Sequence, residues 1–195
     1  MRAAVCTRYG APNVVRITEV DKPSPNDDQV LVRVHATTVN RRTAGIGRGK
    51  PFFVRFFSGL TKPKVRVLGT EFAGVVDAVG GGVTSFEVGD SVFGYNEGSF
   101  GTHAEYMTVS EAGSVATMPA SFTFEEAAAS TEGAHYALSM IRKAKVRSGH
   151  NVLVNGATGA IGSAAVQLVK TLGAHVTAVC DTEHVELVRI WAPTE

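Results

Sequence analysis

Gly156, Gly159 and Gly162 recur at intervals of three, with Ala157, Thr158, Ala160 and Ile161 between them, in the run Asn155-Gly-Ala-Thr-Gly-Ala-Ile-Gly162. Glycine spaced in this way, directly between an apolar strand and a helix, suits one kind of chemistry. The middle glycine lets backbone approach a pyrophosphate, and the helix start offers unpaired amides and the positive end of its dipole to the anion. About twenty residues further on stands Asp181, where an acidic side chain binds the hydroxyl pair of a ribose and repels a 2′-phosphate. Each feature has a plainer reading that stays open. The glycines also suit a structural turn, and Asp181 also suits the cap of the next helix.

Elements able to position these residues are legible around them. Residues 151–155 form a short apolar run of the type buried in parallel sheets, 161–172 a helix closed by Gly173, and 175–179 a second strand, together one βαβ unit. Another helix begins near Glu183. Upstream, Thr123-Phe-Glu-Glu126 has the form of a capping box, opening an alanine-rich helical stretch that runs towards Lys143 despite Gly133. Before Met118 the texture differs. Short β-like runs at 30–35, 72–79, 91–94 and 105–109 are divided by Gly, Pro and Asp, with a turn at 80–82, as in a compact β barrel or sandwich.

Composition narrows the function classes. The 195 residues allow one or two domains, and a 44% hydrophobic, 19% charged content is that of a globular protein. A net charge of +1 supplies no global field to draw nucleic acid or an anionic membrane. No apolar run is long enough to span a bilayer, and the N-terminus lacks the apolar stretch of a secretory signal. Cys6 and Cys180 are too few and too far apart for a disulfide framework or a cysteine-rich metal site. These features give a cytoplasmic location and no stable membrane insertion as the expectation.

The glycine loop belongs to a wider pattern. Gly69-Thr-Glu-Phe-Ala-Gly-Val-Val76, Val88-Gly-Asp-Ser-Val-Phe-Gly94, Ala104-Glu-Tyr106, Glu125-Glu-Ala-Ala-Ala129 and Thr38-Val-Asn40 occur in an order and spacing that resembles the medium-chain dehydrogenase/reductase superfamily, in its zinc-independent, quinone oxidoreductase-like branch. Residues 155–169 are similar to its cofactor loop and helix. The resemblance covers essentially the whole chain except its last few residues. It implies an α/β protein with a GroES-like β barrel as catalytic and substrate domain over 1–122, then a partial Rossmann dinucleotide-binding domain over 123–195. Its implied activity is NAD(P)H-dependent hydride transfer to or from a carbonyl, quinone or activated alkene of a small-molecule substrate. Homodimers are common in the family, and no nucleic-acid partner is implied.

Residue by residue, the resemblance separates this chain from the zinc-dependent members. They place a histidine beside the glutamate matching Glu71, and here Thr70 stands there, a poor zinc ligand. Their first cysteine ligand falls near 38–40, where there is none. The structural-zinc lobe is missing, and the six histidines are scattered, so no zinc is expected. The resemblance puts Asn40 near the nicotinamide as a hydrogen-bond donor; the alternative is a loop asparagine holding a turn. Family members often carry an aspartate shortly afterwards, where this chain has Thr43 or Ala44, and a threonine where Tyr136 stands. The branch commonly uses NADP(H), through a serine and a basic residue after the second Rossmann strand. This chain has Cys180-Asp-Thr-Glu-His184 there, which favours NAD(H).

Two segments stand apart. Residues 41–66 carry many arginines and lysines and no acid, with Phe52, Phe53, Phe56 and Phe57 embedded. Such a segment suits a substrate entrance, an anionic substrate or a membrane carrying quinone; the plainer reading is a mobile loop with solvated charges and phenylalanines packed on the barrel. At the other end, residues 190–195 abandon the family pattern after only the first βαβ unit. The expectation is therefore a C-terminally truncated nucleotide domain, with a non-catalytic fragment or nucleotide- or partner-binding module as the rival to an enzyme.

Overall fold

A computed structural model describes residues 1–49, 52–96 and 100–191. Residues 192–195, where the family pattern is lost, and Lys50 and Pro51 of the basic segment lie outside the described residues. The chain divides into two compact units, Met1–Ala129 and Ser130–Glu195.

The first unit is antiparallel β structure. Strands β1 (Arg2–Cys6) and β2 (Val15–Glu19) pair with each other. β3 (Gln29–Thr37), β4 (Glu71–Val79), β5 (Ser91–Tyr95), β6 (Tyr106–Ser110) and β7 (Val115–Thr117) form a sheet in the order β6-β3-β4-β5-β7. Each β-like run of the sequence falls on one of these strands. Inward residues Val30, Val32, Phe72, Val76, Val92, Met107 and Val109 make the core, the alternation a half-buried strand requires. β1 is tied in through bridges Ala3–Ala104 and Val5–Val67. Two helices lie between β3 and β4, α1 (Arg41–Arg48) and α2 (Val54–Ser58).

The Thr123–Glu126 pattern forms the reciprocal cap expected of it. The Glu126 N–H donates to Thr123 Oγ1 at 3.2 Å, and the Thr123 N–H donates to Glu126 Oε2 at 2.9 Å. They open α3 (Phe124–Ala129), whose Ala127 and Ala128 bury against Ala73, Ala36 and Phe93. Thr123→Ala removes one half of this cap and should lower stability by about 1 kcal/mol in urea unfolding, with Thr123→Ser close to the parent.

The helical stretch is not continuous. It breaks at Ser130 and resumes as α4 (Thr131–Lys143), because its two halves pack on different surfaces: Ala127 and Ala128 on the first unit's sheet, Gly133, Ala137 and Ile141 within the second unit. Gly133 is required rather than tolerated. A Cβ there would lie 2.8 Å from the carbonyl carbon of Ala160, so its absence lets α4 approach the next helix closely.

The second unit holds the βαβ motif as read from the sequence: β8 (Asn151–Asn155), α5 (Ala160–Thr171) and β9 (His175–Val179), the strands parallel with Asn151 opposite His175 and Asn155 opposite Val179. Gly173, at φ +72°, closes α5 through its N–H to Lys170 O at 2.8 Å. A 3-10 turn at Thr182–His184 leads into α6 (Val185–Trp191). The strands have the apolar composition of the buried parallel type, and one of their two faces is covered. Val152, Val154, Val176 and Ala178 pack against two adjoining clusters, one with Val166 of α5 and Val188 of α6, the other with Ile141 of α4 and Val169 of α5, while Leu153 is 67% exposed.

Candidate functional site

The glycine loop occupies the strand–helix junction of the second unit, and each glycine has a separate geometric task. Gly156 adopts φ +76°, a left-handed conformation that a side chain disfavours. Its N–H and that of Ala157 both donate to Val179 O at 3.0 Å, pinning the loop across the end of β9. Gly159 is the N-cap of α5 in extended conformation and has no side chain to cap it. The first helical bond runs from the Ser163 N–H to Gly159 O at 2.8 Å, so the amides of Ala160, Ile161 and Gly162 have no intrahelical acceptor. Gly162 is buried against the loop. A Cβ there would collide with Gly156 O and lie 2.9 Å from Ala157 Cα. Ala157 is fully buried, while Thr158, Ala160 and Ile161 are exposed around the helix start. A turn glycine, an uncovered N-terminal turn and a packing glycine are what a bound pyrophosphate needs.

Asp181 follows β9 and is exposed. It stands at the N-cap position of the 3-10 turn, yet its carboxylate makes no capping hydrogen bond, so the capping alternative finds no bond here. Glu183, two residues on, is exposed as well. Thus the end of β9 carries two acidic side chains, and no basic residue stands between them.

Asn40 belongs to the first unit, in a network the sequence reading did not assemble. Its Oδ1 accepts the Thr43 N–H at 2.8 Å, capping α1, and its Nδ2 donates to Thr70 Oγ1 at 3.1 Å. The turn-holding role weighed for this residue is therefore present, with the side chain left half-buried and oriented by a neighbour. Beside it the Thr38 hydroxyl donates to the Glu71 carboxylate. Thr37 Oγ1 donates to Glu71 O at 2.7 Å and meets Thr102 Oγ1 at 2.8 Å. His103 Nε2 lies 2.8 Å from Thr38 O. Thr70, Glu71 and Thr102 are buried. The histidine and Thr102 come from a segment some sixty residues away, so only the fold reveals them; the adjacent Thr37 and Thr38 facing Glu71 were the available signal.

In α1 the hydroxyl of Thr43, 3% exposed, has no hydrogen-bond partner among the described residues. Thr43 lines a cavity of about 310 Å³ together with Cys6, Val39, Gly47, Leu68 and His103. Burial pushes the Cys6 thiol up, and it donates to Arg8 O at 3.2 Å. Cys6 and Cys180 are both free. Among the described residues no group of three or more His, Cys, Asp or Glu is placed to hold a metal ion, and no helix is long and apolar enough to cross a membrane.

Comparison with known proteins bears on both units. Residues 26–120 match the alcohol dehydrogenase GroES-like domain. A quinone oxidoreductase of Pongo abelii is 33% identical over 188 residues, covering 94% of this chain and 54% of the relative. A 2-methylene-furan-3-one reductase of Solanum lycopersicum is 33% identical over 199 residues, covering 97% of this chain and 50% of the relative. A mycobacterial protein solved in complex with NADPH superposes with a TM-score of 0.82 at 29% identity, over 98% of this chain and 56% of that one. The chain spans about half the length of the curated relatives it matches.

Proposed function

We propose, for a chain that belongs to the medium-chain dehydrogenase/reductase superfamily in its quinone oxidoreductase-like branch, that it binds a nicotinamide dinucleotide and serves hydride transfer to or from a carbonyl, quinone or activated alkene. The observation that carries this reading is the glycine loop: Gly156 turning, Gly162 packing, and an uncapped α5 between them. The amides of Ala160, Ile161 and Gly162 hold the pyrophosphate, with Ala157 and Thr158 shaping the loop. Asp181 accepts hydrogen bonds from the adenosine ribose. When bound, the nicotinamide supplies or receives the hydride. Asn40 then donates a hydrogen bond to the substrate oxygen on which charge develops, and its bonds to Thr43 and Thr70 fix its orientation beforehand. No zinc is assigned, because Thr70 and residues 38–40 supply neither the histidine nor the cysteine of the zinc-dependent members. Relatives named for quinone and furanone reduction support the electrophile classes. The family resemblance supports a cytoplasmic location and is compatible with a homodimer.

The mycobacterial relative was solved with NADPH, but this chain's acidic β9 end favours NADH, since Asp181 and Glu183 would meet the added 2′-phosphate as like charges. NADH should bind about tenfold more tightly than NADPH, a difference of about 1.4 kcal/mol. Asp181→Ser combined with Glu183→Arg should reverse the order in calorimetric titrations. Tighter NADPH binding by the parent chain would remove Asp181 from the ribose site.

A second reading, binding of nucleotide or a partner without turnover, is favoured by the uncovered face of β8 and β9, where Leu153 is 67% exposed. The two readings part in one assay. Oxidation of NADH with quinones, enones and aldehydes supports the enzyme; saturable NADH binding with no oxidation of any of them supports the module.

A further inference from the structure

Three phenylalanines of residues 41–66 stand out in solvent rather than in the core of the first unit. Phe52, Phe53 and Phe56 are 64%, 61% and 63% exposed, and Leu60 is 59% exposed. They are held in that position from behind. The Arg55 N–H donates to Phe52 O at 3.0 Å and the Phe56 N–H to Phe53 O at 3.1 Å, gathering three rings on one turn. The rings of Phe52 and Phe56 meet edge to face at 6.1 Å. The Arg55 guanidinium lies 5.4 Å from the Phe52 ring and 4.7 Å from that of Tyr9, while the Tyr9 hydroxyl donates to Gly59 O at 2.6 Å. The Lys64 N–H donates to Ser58 O at 2.7 Å, folding the following loop, with exposed Lys62 and Lys64, back onto the end of α2.

Charge on this segment is of one sign. It holds eight of the chain's nineteen Lys and Arg and none of its eighteen Asp and Glu, so the net charge of +1 conceals a strongly cationic patch on an otherwise acidic chain. Exposed aromatic and aliphatic side chains on a segment that also exposes Arg41, Arg48, Lys62 and Lys64 match a surface that is anionic outside and apolar just beneath.

We propose that this face docks reversibly on an anionic phospholipid bilayer, with Phe52, Phe53, Phe56 and Leu60 entering the headgroup–acyl boundary and Arg41, Arg48, Lys62 and Lys64 lying against lipid phosphates. Edge-to-face rings and a leucine present no flat platform on which nucleic-acid bases stack. A second copy meeting this face through a two-fold axis would set its cations against themselves. The inference stands independently of the nucleotide reading.

The test is co-sedimentation of the full chain with phosphatidylcholine vesicles, with and without phosphatidylserine. Binding should require phosphatidylserine and weaken as salt rises. Lys62→Glu with Lys64→Glu should cut partitioning by about tenfold or more. Phe52→Ser, Phe53→Ser and Phe56→Ser together should cut it similarly although every charge remains. These substitutions are at exposed positions, and unchanged circular dichroism and unfolding midpoints confirm that the variants fold. Any of four results overturns the proposal: no phosphatidylserine-dependent binding at low salt, indifference to the phenylalanine triple variant, pelleting without vesicles through self-association, or preference for polyuridine over the charged vesicles.

Discussion

Gly162→Val should abolish detectable NADH binding and destabilise the second unit. Even the first added carbon would collide with Gly156 O and lie 2.9 Å from Ala157 Cα, both backbone, so no side-chain rotation relieves the clash. Gly156 cannot yield easily, since it is held at φ +76° and its N–H is bonded to Val179 O. The start of α5 must therefore shift away from β8 and β9, opening the core around Val154, Ala157 and Val166. Overpacking of this kind costs about 1–3 kcal/mol, and a branched side chain belongs at the upper end. The same shift carries the amides of Ala160, Ile161 and Gly162 out of register with any bound phosphate. Gly159→Ala isolates the binding part of the effect. Its Cβ would meet Gly156 O at 3.5 Å, an ordinary contact, and the extended backbone there suits alanine. Alanine is a poorer N-cap than glycine, so stability should fall by up to about 1 kcal/mol, less than in Gly162→Val, while the new methyl stands where pyrophosphate must approach and weakens NADH binding by about tenfold or more. Titration and urea unfolding of both variants separate the two effects; parent-like NADH affinity in Gly159→Ala would move the nucleotide off this loop.

What the sequence revealed was mostly local. The capping box at Thr123 and Glu126, the glycine spacing and the β-like runs depend on residues a few positions apart, and each forms as its pattern requires. What it concealed depends on what lies opposite. Gly133 looks like a defect in a good helix until Ala160 is placed against it. The break at Ser130 is only weakly marked: Ser130, Thr131 and Gly133 interrupt the alanines without forcing a stop, and the choice of packing partner decides. Strands β8 and β9 have the composition of doubly buried strands, but periodicity cannot say which face is covered, and one is not. Phenylalanines in 41–66 were as consistent with packing as with exposure, since hydrophobicity alone does not choose between a core and an interaction surface. At the candidate site the loop was readable in full, whereas the threonine–glutamate–histidine network around Asn40 draws on three segments brought together only by the sheet.

Asn40 is where a structural and a chemical role coincide, and Asn40→Asp pulls them apart. An aspartate oxygen still accepts the Thr43 N–H, so the cap of α1 is retained; Asp and Asn are near-equal caps. The Thr70 hydroxyl, which accepts from Nδ2 in the parent, can turn and donate to the carboxylate, leaving that buried pair satisfied. The new charge stands beside the buried Glu71 carboxylate, so unfolding should shift by about 1 kcal/mol even with the cap intact. The chemistry fares differently. A carboxylate has no hydrogen to offer a substrate oxygen, and its charge opposes the negative charge that develops there, so kcat should fall by about a hundredfold or more. The KM for NADH should change little, because the pyrophosphate and ribose contacts lie elsewhere. Asn40→Leu supplies the contrast, losing the cap at a cost of about 1 kcal/mol and the donor together. If Asn40→Asp turns over like the parent while Asn40→Leu is merely less stable, the residue is a helix cap and nothing more. A large loss of kcat in both, with the aspartate variant no less stable than the leucine one, assigns the amide to the reacting oxygen.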